Sequence, residues 1–202
     1  MSKTASFAEG LFRHPALYTA KVELLNRLNG TDAFPVAALV AGKEVLDVGC
    51  GASSQHYPAA APRRRAGVDA SPEMVAEAKR LHPEGDYRVG SADRLPFPDK
   101  SFDAVLLLFV LHHLEPAVWA GALAEAKRVA RESVLVLDHV KHDNAALAWV
   151  QQAWWDAADG GSIYRRKADW DRVLADAGLA VRDYRRAGAM FGNVCFLRLE
   201  PL

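Results

Sequence analysis

The feature that most constrains this chain is a short apolar run that stops on paired glycines, Val45-Leu46-Asp47-Val48-Gly49-Cys50-Gly51. A run of this length and character has the size of a strand covered on both faces. Two glycines one residue apart let the backbone turn sharply and let a ligand come close to it. Read alone, the same letters also fit an ordinary strand-to-helix turn. Their meaning depends on what stands downstream.

Downstream, strand-like and helix-like stretches alternate. Glu44 to Val48, Arg65 to Asp69, Asp86 to Gly90, Phe102 to Phe109 and Ser133 to Asp138 read as strands. Ser71 is placed to cap a helix with Pro72 at its first position, and Met74, Val75, Ala78 and Leu81 give that helix one apolar face. Pro116 to Arg131 reads as helical, with Trp119, Leu123, Ala126 and Ala130 on one side. Ala168 to Ala177 reads as a helix stopped by Gly178. Ala180 to Arg186 and Asn193 to Glu200 read as two last strands of an antiparallel hairpin, joined by Gly188 to Gly192. The first 40 residues read as a helical cap, with Leu17, Ala20, Val22, Leu24, Leu25 and Leu28 near a helical period. Strands separated by helices predict an α/β fold with a parallel sheet and helices on both faces. Ligands of such sheets sit at the carboxyl ends of the strands, so the residues just after each strand are the ones to read for chemistry.

Charge narrows the partners. Lys plus Arg and Asp plus Glu number 25 each, a neutral balance with no general pull toward nucleic acid or anionic lipid. The longest apolar run, Ala104 to Leu111, is strand-length and far short of the roughly 20 residues a membrane helix needs. Met1 to Gly10 lacks the pattern of a signal peptide. Cys50 and Cys195 are too few and too far apart for a disulfide framework. A soluble cytoplasmic protein, with no membrane partner and no metal site, is the expectation.

Two carboxylates follow strands at telling places. Asp69 lies 18 residues beyond Gly51, where it can accept hydrogen bonds from both hydroxyls of a ribose. Asp93, in Ser91-Ala92-Asp93, can accept from the exocyclic amino group of an adenine, though a solvated loop Asp would read the same way. Leu95 to Asp103 is then a turn-rich approach to the next strand.

With these residues in view, the chain resembles the class I S-adenosylmethionine-dependent methyltransferases, specifically small single-domain members with a Leu-His-His-Leu segment. The matching stretches are Val45 to Gly51, Gly67 to Met74, Ser91 to Phe97, Ser101 to Val105 and Leu111-His112-His113-Leu114, in family order across residues 40 to 140. The resemblance implies a three-layer α-β-α Rossmann-like sandwich whose seven-stranded, mostly parallel sheet has an antiparallel last strand. It implies S-adenosyl-L-methionine as cofactor. Asp47, Gly49 and Gly51 would line its methionine half, with Cys50 between them. Asp69 would hold the ribose, Ala70 and Met74 would flank the adenine, and Asp93, with Ala92 beside it, would take the amino group. Phe109 would sit near the methionine part, and Tyr18 is a further candidate contact from the N-terminal region. One departure is Ser53, where many members carry a third glycine.

Other readings compete. A nicotinamide-dependent oxidoreductase wants Gly-x-Gly-x-x-Gly or Ala, and the last position here is Ser54. It would also leave the Leu95 to Phe102 and Leu111 to Leu114 matches unexplained. A non-catalytic S-adenosylmethionine-binding protein would keep the same cofactor residues. Basic clusters at Arg63 to Arg65, Arg165 to Lys167 and Arg185-Arg186 fit a solvated surface, and Leu107 to Val110 lacks the Asn- or Asp-Pro-Pro of amino-methylating nucleic acid enzymes, so nucleic acid is not the expected substrate.

The expected reaction is in-line methyl transfer to a small-molecule acceptor, by a monomer or homodimer. A hydroxyl or protonated amine acceptor profits from a general base. His112, His113, His139 and His142 lie near strand ends, and His139, directly after Asp138, is the candidate base, although a structural loop histidine would occupy the same place. His112 and His113 are expected to shape the start of the following helix. One domain is expected over residues 1–202, divided into the helical cap at 1–40, a cofactor-binding core at 41–139, a substrate cap at 140–167 and a C-terminal helix and hairpin at 168–202. In the substrate cap, Trp149, Trp154 and Trp155 are spaced to share part of a helical face, Tyr164 follows, and Asp159-Gly160-Gly161 reads as a lid-like turn. Core packing of the tryptophans is the competing reading.

Overall fold

The structure is a computed structural model and describes residues 30–52, 61–158, 164–188 and 193–202. The N-terminal helical reading up to residue 29, Ser53, Ser54, the lid-like turn at 159–161 and most of the Gly188–Gly192 connection lie outside these residues. In chain order the elements are α1 (Val36–Val40), β1 (Glu44–Val48), β2 (Arg64–Asp69), α2 (Pro72–Leu81), β3 (Asp86–Val89), β4 (Phe102–Leu108), α3 (Pro116–Val129), β5 (Ala130–His139), α4 (Ala145–Ala158), α5 (Lys167–Asp176), β6 (Leu179–Ala187) and β7 (Val194–Pro201).

The seven strands form one sheet in the order β3-β2-β1-β4-β5-β7-β6. Strands β1 to β5 pair in parallel, and β7 runs antiparallel between β5 and β6. The last strand is antiparallel because only a short connection separates it from β6, and a parallel crossover needs a dozen or more residues. The order reverses between β1 and β4. Their carboxyl ends therefore flank the crevice where this architecture takes ligands.

Alternation along the strands builds the layers. Leu46, Val48, Val105, Leu107, Val134 and Val136 pack on one face against Trp119 and Leu123 of α3 and Trp170 and Leu174 of α5. Val45, Ala104, Leu106, Leu135 and Leu137 point the other way, toward Phe34, Val36 and Val40. A third cluster of Cys50, Val75, Ala78 and Tyr87 seats α2.

Local signals explain most boundaries. Ser71 Oγ accepts from Met74 N–H at 3.2 Å, so α2 starts on a capped Pro72. Its apolar face is narrower than expected, because Leu81 is exposed. Gly178, at φ 66°, ends the α5 region as a left-handed terminator. One boundary differs. The helix expected to reach Arg131 stops at Val129, and β5 begins at once with Ala130, whose φ −78° and ψ 133° are already extended.

Candidate functional site

Gly49, Cys50 and Gly51 turn the chain out of β1 toward the end of β2. The N–H groups of Gly49 and Cys50 both donate to Val68 O, at 2.7 and 3.1 Å. The N–H of Gly51 donates to Asp69 Oδ2 at 2.8 Å. Both glycines have positive φ, 72° and 53°. A Cβ on Gly49 would lie 2.3 Å from Val110 Cγ2, so this glycine is required by the end of β4 as well as by its backbone conformation. The Cys50 side chain points away, into the cluster under α2. Its thiol is pushed up by burial first and then by the Asp47 and Asp69 carboxylates. Asp47 is buried on β1. Only the backbone of Cys50 faces the turn.

Asp69 is held from two sides. Oδ1 accepts from Ser71 N–H at 2.9 Å while Oδ2 takes Gly51. Each oxygen uses one lone pair on the backbone, and an ionised carboxylate has about four acceptor positions. Asp69 therefore remains competent to accept from a vicinal diol, which fits the ribose of an adenosyl group. Ala70 is exposed beside it, and Met74 is half-buried in the first turn of α2. Asp93 is exposed and accepts from Ser91 Oγ, next to a surface cavity of about 380 Å³ lined by Val89, Gly90, Ser91, Asp93, Arg94 and Pro96. Ala92 packs into the main core cluster.

The approach to β4 is a structural clamp. Arg128 on α3 donates to Leu95 O at 3.1 Å, Phe97 O at 2.9 Å, Asp99 at 2.7 Å and Glu125 at 2.6 Å, while Glu125 accepts from Leu95 N–H at 2.7 Å. Two hydrogen bonds with Glu125, then one with Asp99, push the Arg128 guanidinium up from its ordinary value. Asp103 works at the far end of the sheet, accepting from Glu44 N–H at 2.9 Å and from Arg131 at 2.8 Å. Neither position was read from the sequence as a fastening. A run with two prolines before a strand, followed 30 residues later by a helical Glu-x-x-Arg, is the pattern that carries it.

The ends of β4 and β5 hold the densest constellation. Phe109 leaves β4 with φ 54°, a strained conformation for a ring-bearing residue, fixed by its N–H on Leu137 O at 2.7 Å. A single 3-10 turn, Leu111–His113, follows, and α3 starts at Pro116. The two histidines thus precede the helix as expected, but His112 turns inward. Asp138, fully buried, accepts four hydrogen bonds: Leu111 N–H at 2.9 Å, His112 N–H at 3.3 Å, His112 Nδ1 at 2.6 Å and His139 N–H at 2.7 Å. Burial works against its charge, but the His112 imidazole, its hydrogen bond and His139 outweigh that and hold the carboxyl below the usual range. His139 is buried, with its ring 5.3 Å from Phe109, 4.8 Å from His112 and 5.0 Å from Trp155. Trp155 stacks on Tyr164 at 4.1 Å. Asp138 is the functional candidate the sequence reading passed over, because three of its four donors come from Leu111 and His112, 26 to 27 residues earlier.

The tryptophan face is corrected. Trp149 is 73% exposed and Trp155 is 1% exposed, so the two lie on different sides of α4. Six residues at 100° each place them well apart. The Trp154 side chain is not described. Trp149 instead walls an open groove of about 420 Å³ with Lys141, Gln152, Tyr164 and Arg166. His142 is tied to the middle of α4, its N–H on Gln151 Oε1 at 2.7 Å. Tyr18 lies outside the described residues. Among the described residues no cluster of metal-ligating side chains occurs, and no helix is long and apolar enough to cross a membrane.

A family model described as "Methyltransferase domain" matches residues 46–148, which contain Phe109, His112, Asp138 and His139 but not Trp155 or Tyr164. The chain belongs to the class I S-adenosylmethionine-dependent methyltransferase family. Among its relatives, a demethylmenaquinone methyltransferase of Beutenbergia cavernae is 41% identical over 95 residues, covering 45% of this chain and 37% of that one. A malonyl-[acyl-carrier protein] O-methyltransferase of Erwinia billingiae is 42% identical over 81 residues, covering 39% and 32%. This methyltransferase-family chain thus spans well under half the length of those curated relatives. Among solved structures, magnesium protoporphyrin IX methyltransferase from Synechocystis, with bound SAH, superposes with a TM-score of 0.65 at 19% identity, over 90% of this chain and 84% of that one. That likeness shows the shared fold.

Proposed function

We propose that this chain transfers the methyl group of S-adenosylmethionine to a small organic acceptor by in-line displacement. One observation carries the choice of cofactor. The three N–H groups of the Gly49-Cys50-Gly51 turn are spent on Val68 O and Asp69. A dinucleotide turn uses its backbone N–H groups to cradle a pyrophosphate. Here the turn offers a rigid carboxylate instead, which suits a phosphate-free adenosyl group and speaks against a nicotinamide cofactor.

In this reading Gly49 and Gly51 give the methionine half close access, Asp69 accepts from the ribose hydroxyls, Ala70 and Met74 flank the adenine, and Asp93 takes its amino group. Asp47, Phe109 and, from outside the described residues, Tyr18 complete the methionine end. The bound cofactor supplies an activated methyl on a sulfonium. The protein's part is to hold a nucleophile about 3 Å from it, in line, and to exclude water. The rings of Phe109, His139, Trp155 and Tyr164 pack together beside the ends of β4 and β5, and in this reading the acceptor would lie on their side of the crevice. Residues 140–167 would form the acceptor cap. A small acceptor is supported by the relative whose name states a demethylmenaquinone substrate.

Thermal unfolding with S-adenosylmethionine, its demethylated product and NAD tests the reading. Near 100 times the dissociation constant, either adenosyl ligand adds about 2.7 kcal/mol, or roughly 5–10 °C for a domain of this size. A shift with NAD alone would overturn the cofactor. Binding without transfer to any acceptor of a broad oxygen, nitrogen, sulfur and carbon panel would leave a binding protein rather than an enzyme.

A further inference from the structure

We propose that the open groove between the extension of β5, α4 and the start of α5 is the subsite for a carboxylate carried by a flat aromatic acceptor, seated on Lys141 and Arg166 beside the ring of Trp149. This rests on the methyl-transfer reading above and names the substrate class of that site. The groove holds about 420 Å³, a volume that suits a small molecule.

The backbone aims these side chains. Past β5 the chain stays extended: Val140 pairs in parallel with Arg165, and the N–H of Lys141 donates to Arg165 O at 2.8 Å. Successive side chains of an extended segment point to opposite sides. Val140 is fully buried in the main core, so Lys141 faces the other way. Arg165 turns in over the Trp119 ring, 4.2 Å from its centroid, so Tyr164 and Arg166 face the opposite side, and both line the groove. From α4 come Ala145, Ala148, Trp149 and Gln152, a spacing of three, one and three residues that lies on one helix face. The two alanines leave room beside the indole.

Charge selects the ligand. The formal net charge of the chain is zero, and exposed arginines such as Arg63, Arg131, Arg182 and Arg185 sit on carboxylates. Among the described residues, Lys141 and Arg166 take part in no ion pair. One acid, Asp169, also lines the groove, but its carboxylate accepts from the N–H of Arg166 at 3.2 Å and closes the first turn of α5. Two cations against one occupied carboxylate leave the groove net positive. A guanidinium meets a carboxylate through two parallel N–H donors, and an ammonium adds a point charge.

The rings select its shape. Trp149 is 73% exposed, and among the described residues no other aromatic ring stands so open. A ring left in water forfeits its burial, which a flat partner restores by stacking. Tyr164 joins the groove to the ring cluster beside the ends of β4 and β5. It lines the groove, stacks on Trp155 at 4.1 Å and lies 5.6 Å from His139. Lys141 stands two residues past the end of β5, on the carboxyl edge of the sheet that also carries the glycine turn. An acceptor lying along Tyr164 thus keeps its anion on Lys141 and Arg166 while its other end runs toward the crevice. The carboxylate is a handle for recognition and not the reacting group.

The test titrates the whole chain, without cofactor, with 2-naphthoate, 2-naphthamide and 2-naphthylmethylammonium. The indole N–H of Trp149, assigned with Trp149→Phe, is followed by 1H–15N NMR. Naphthoate is expected to shift it saturably, and the amide and the ammonium to bind at least about 10-fold more weakly. Lys141→Gln and Arg166→Gln should each weaken naphthoate about five-fold, and the double variant about 25-fold. Their thermal midpoints should match the unaltered chain, because both side chains reach solvent. Equal affinity for acid and amide, no saturable shift at Trp149, or unchanged naphthoate binding in the double variant overturns the proposal. Capture of the chain on phosphatidylglycerol vesicles through the same residues, with no naphthoate binding, assigns the face to a membrane surface and overturns it as well. Saturating S-adenosylmethionine should leave naphthoate affinity within about two-fold, as expected of independent sites. Mutual exclusion would place naphthoate in the cofactor's position and overturn the groove. In a panel of methyl acceptors, carboxylate-bearing members should show a lower KM than their neutral counterparts, an advantage lost in the double variant; preference for the neutral members overturns the acceptor class. Failure to bind S-adenosylmethionine, or to transfer to any acceptor, falls on the parent reading, since the titration needs no cofactor.

Discussion

The N–H of Gly51 donates to Asp69 Oδ2 at 2.8 Å, fastening the turn after β1 to the end of β2. This bond aims the carboxylate before any ligand arrives. Asp69→Ala removes an aimed charge, and hydrogen bonds to charged groups contribute about 1.5–3 kcal/mol each. S-adenosylmethionine affinity, measured by titration calorimetry, should fall at least 10-fold. Asp69→Asn should not restore it, because its amide NH2 would face either Gly51 or Ser71 N–H.

Gly49 predicts a stability effect independent of ligand. Gly49→Ala forces a Cβ into φ 72° and into Val110 Cγ2. Left-handed strain costs about 1–2 kcal/mol and overpacking about 1–3 kcal/mol. Urea denaturation should show a loss of about 2–5 kcal/mol. Adding Val110→Ala should recover the steric share alone, seen as a favourable coupling in a double-mutant cycle. A fully additive pair would show that the two residues do not meet.

This turn also shows what was legible in the sequence. Strands, their parallel direction and the residues that follow them could be read from apolar runs and punctuation, since each depends on local pattern. The start of β5 could not, because Val129 runs into Ala130 with no glycine or proline between helix and strand. The burial of Trp155 against the exposure of Trp149 depends on the phase of α4, whose own sequence is apolar on most sides. Asp138 reads as an ordinary carboxylate at a strand end, and only the fold brings His112 to it.

Asp138 gives a pH signature. Its folded pKa lies below the unfolded value, so between the two the unfolded chain binds more protons and stability rises with pH. Its contribution is fully present above the ordinary carboxylate range and is lost as pH falls through the lower folded value. Asp138→Ala leaves three backbone N–H groups and an imidazole facing a void. The cost should be about 3–5 kcal/mol at neutral pH, with a shallower acid limb in thermal melts. An unchanged acid limb would assign that limb to other carboxylates.

The two cysteines should be chemically silent in the folded chain. Burial is the main cause that raises both thiols, aided by Asp47 and Asp69 at Cys50 and by Asp138 at Cys195. The thiolate is the reactive form, so a raised thiol and a closed environment both suppress attack. A disulfide reagent such as 5,5′-dithiobis(2-nitrobenzoate) at pH 8 should titrate neither thiol without denaturant and both in guanidinium chloride. Cys195 lies in β7, paired with Asp138, so its exposure requires opening the sheet. Cys50 needs only the β1 turn to part from α2. In partial denaturant Cys50 should therefore react first, and a ligand seated on the glycine turn should slow Cys50 more than Cys195. Equal protection of the two would mean that the turn opens only with the whole domain.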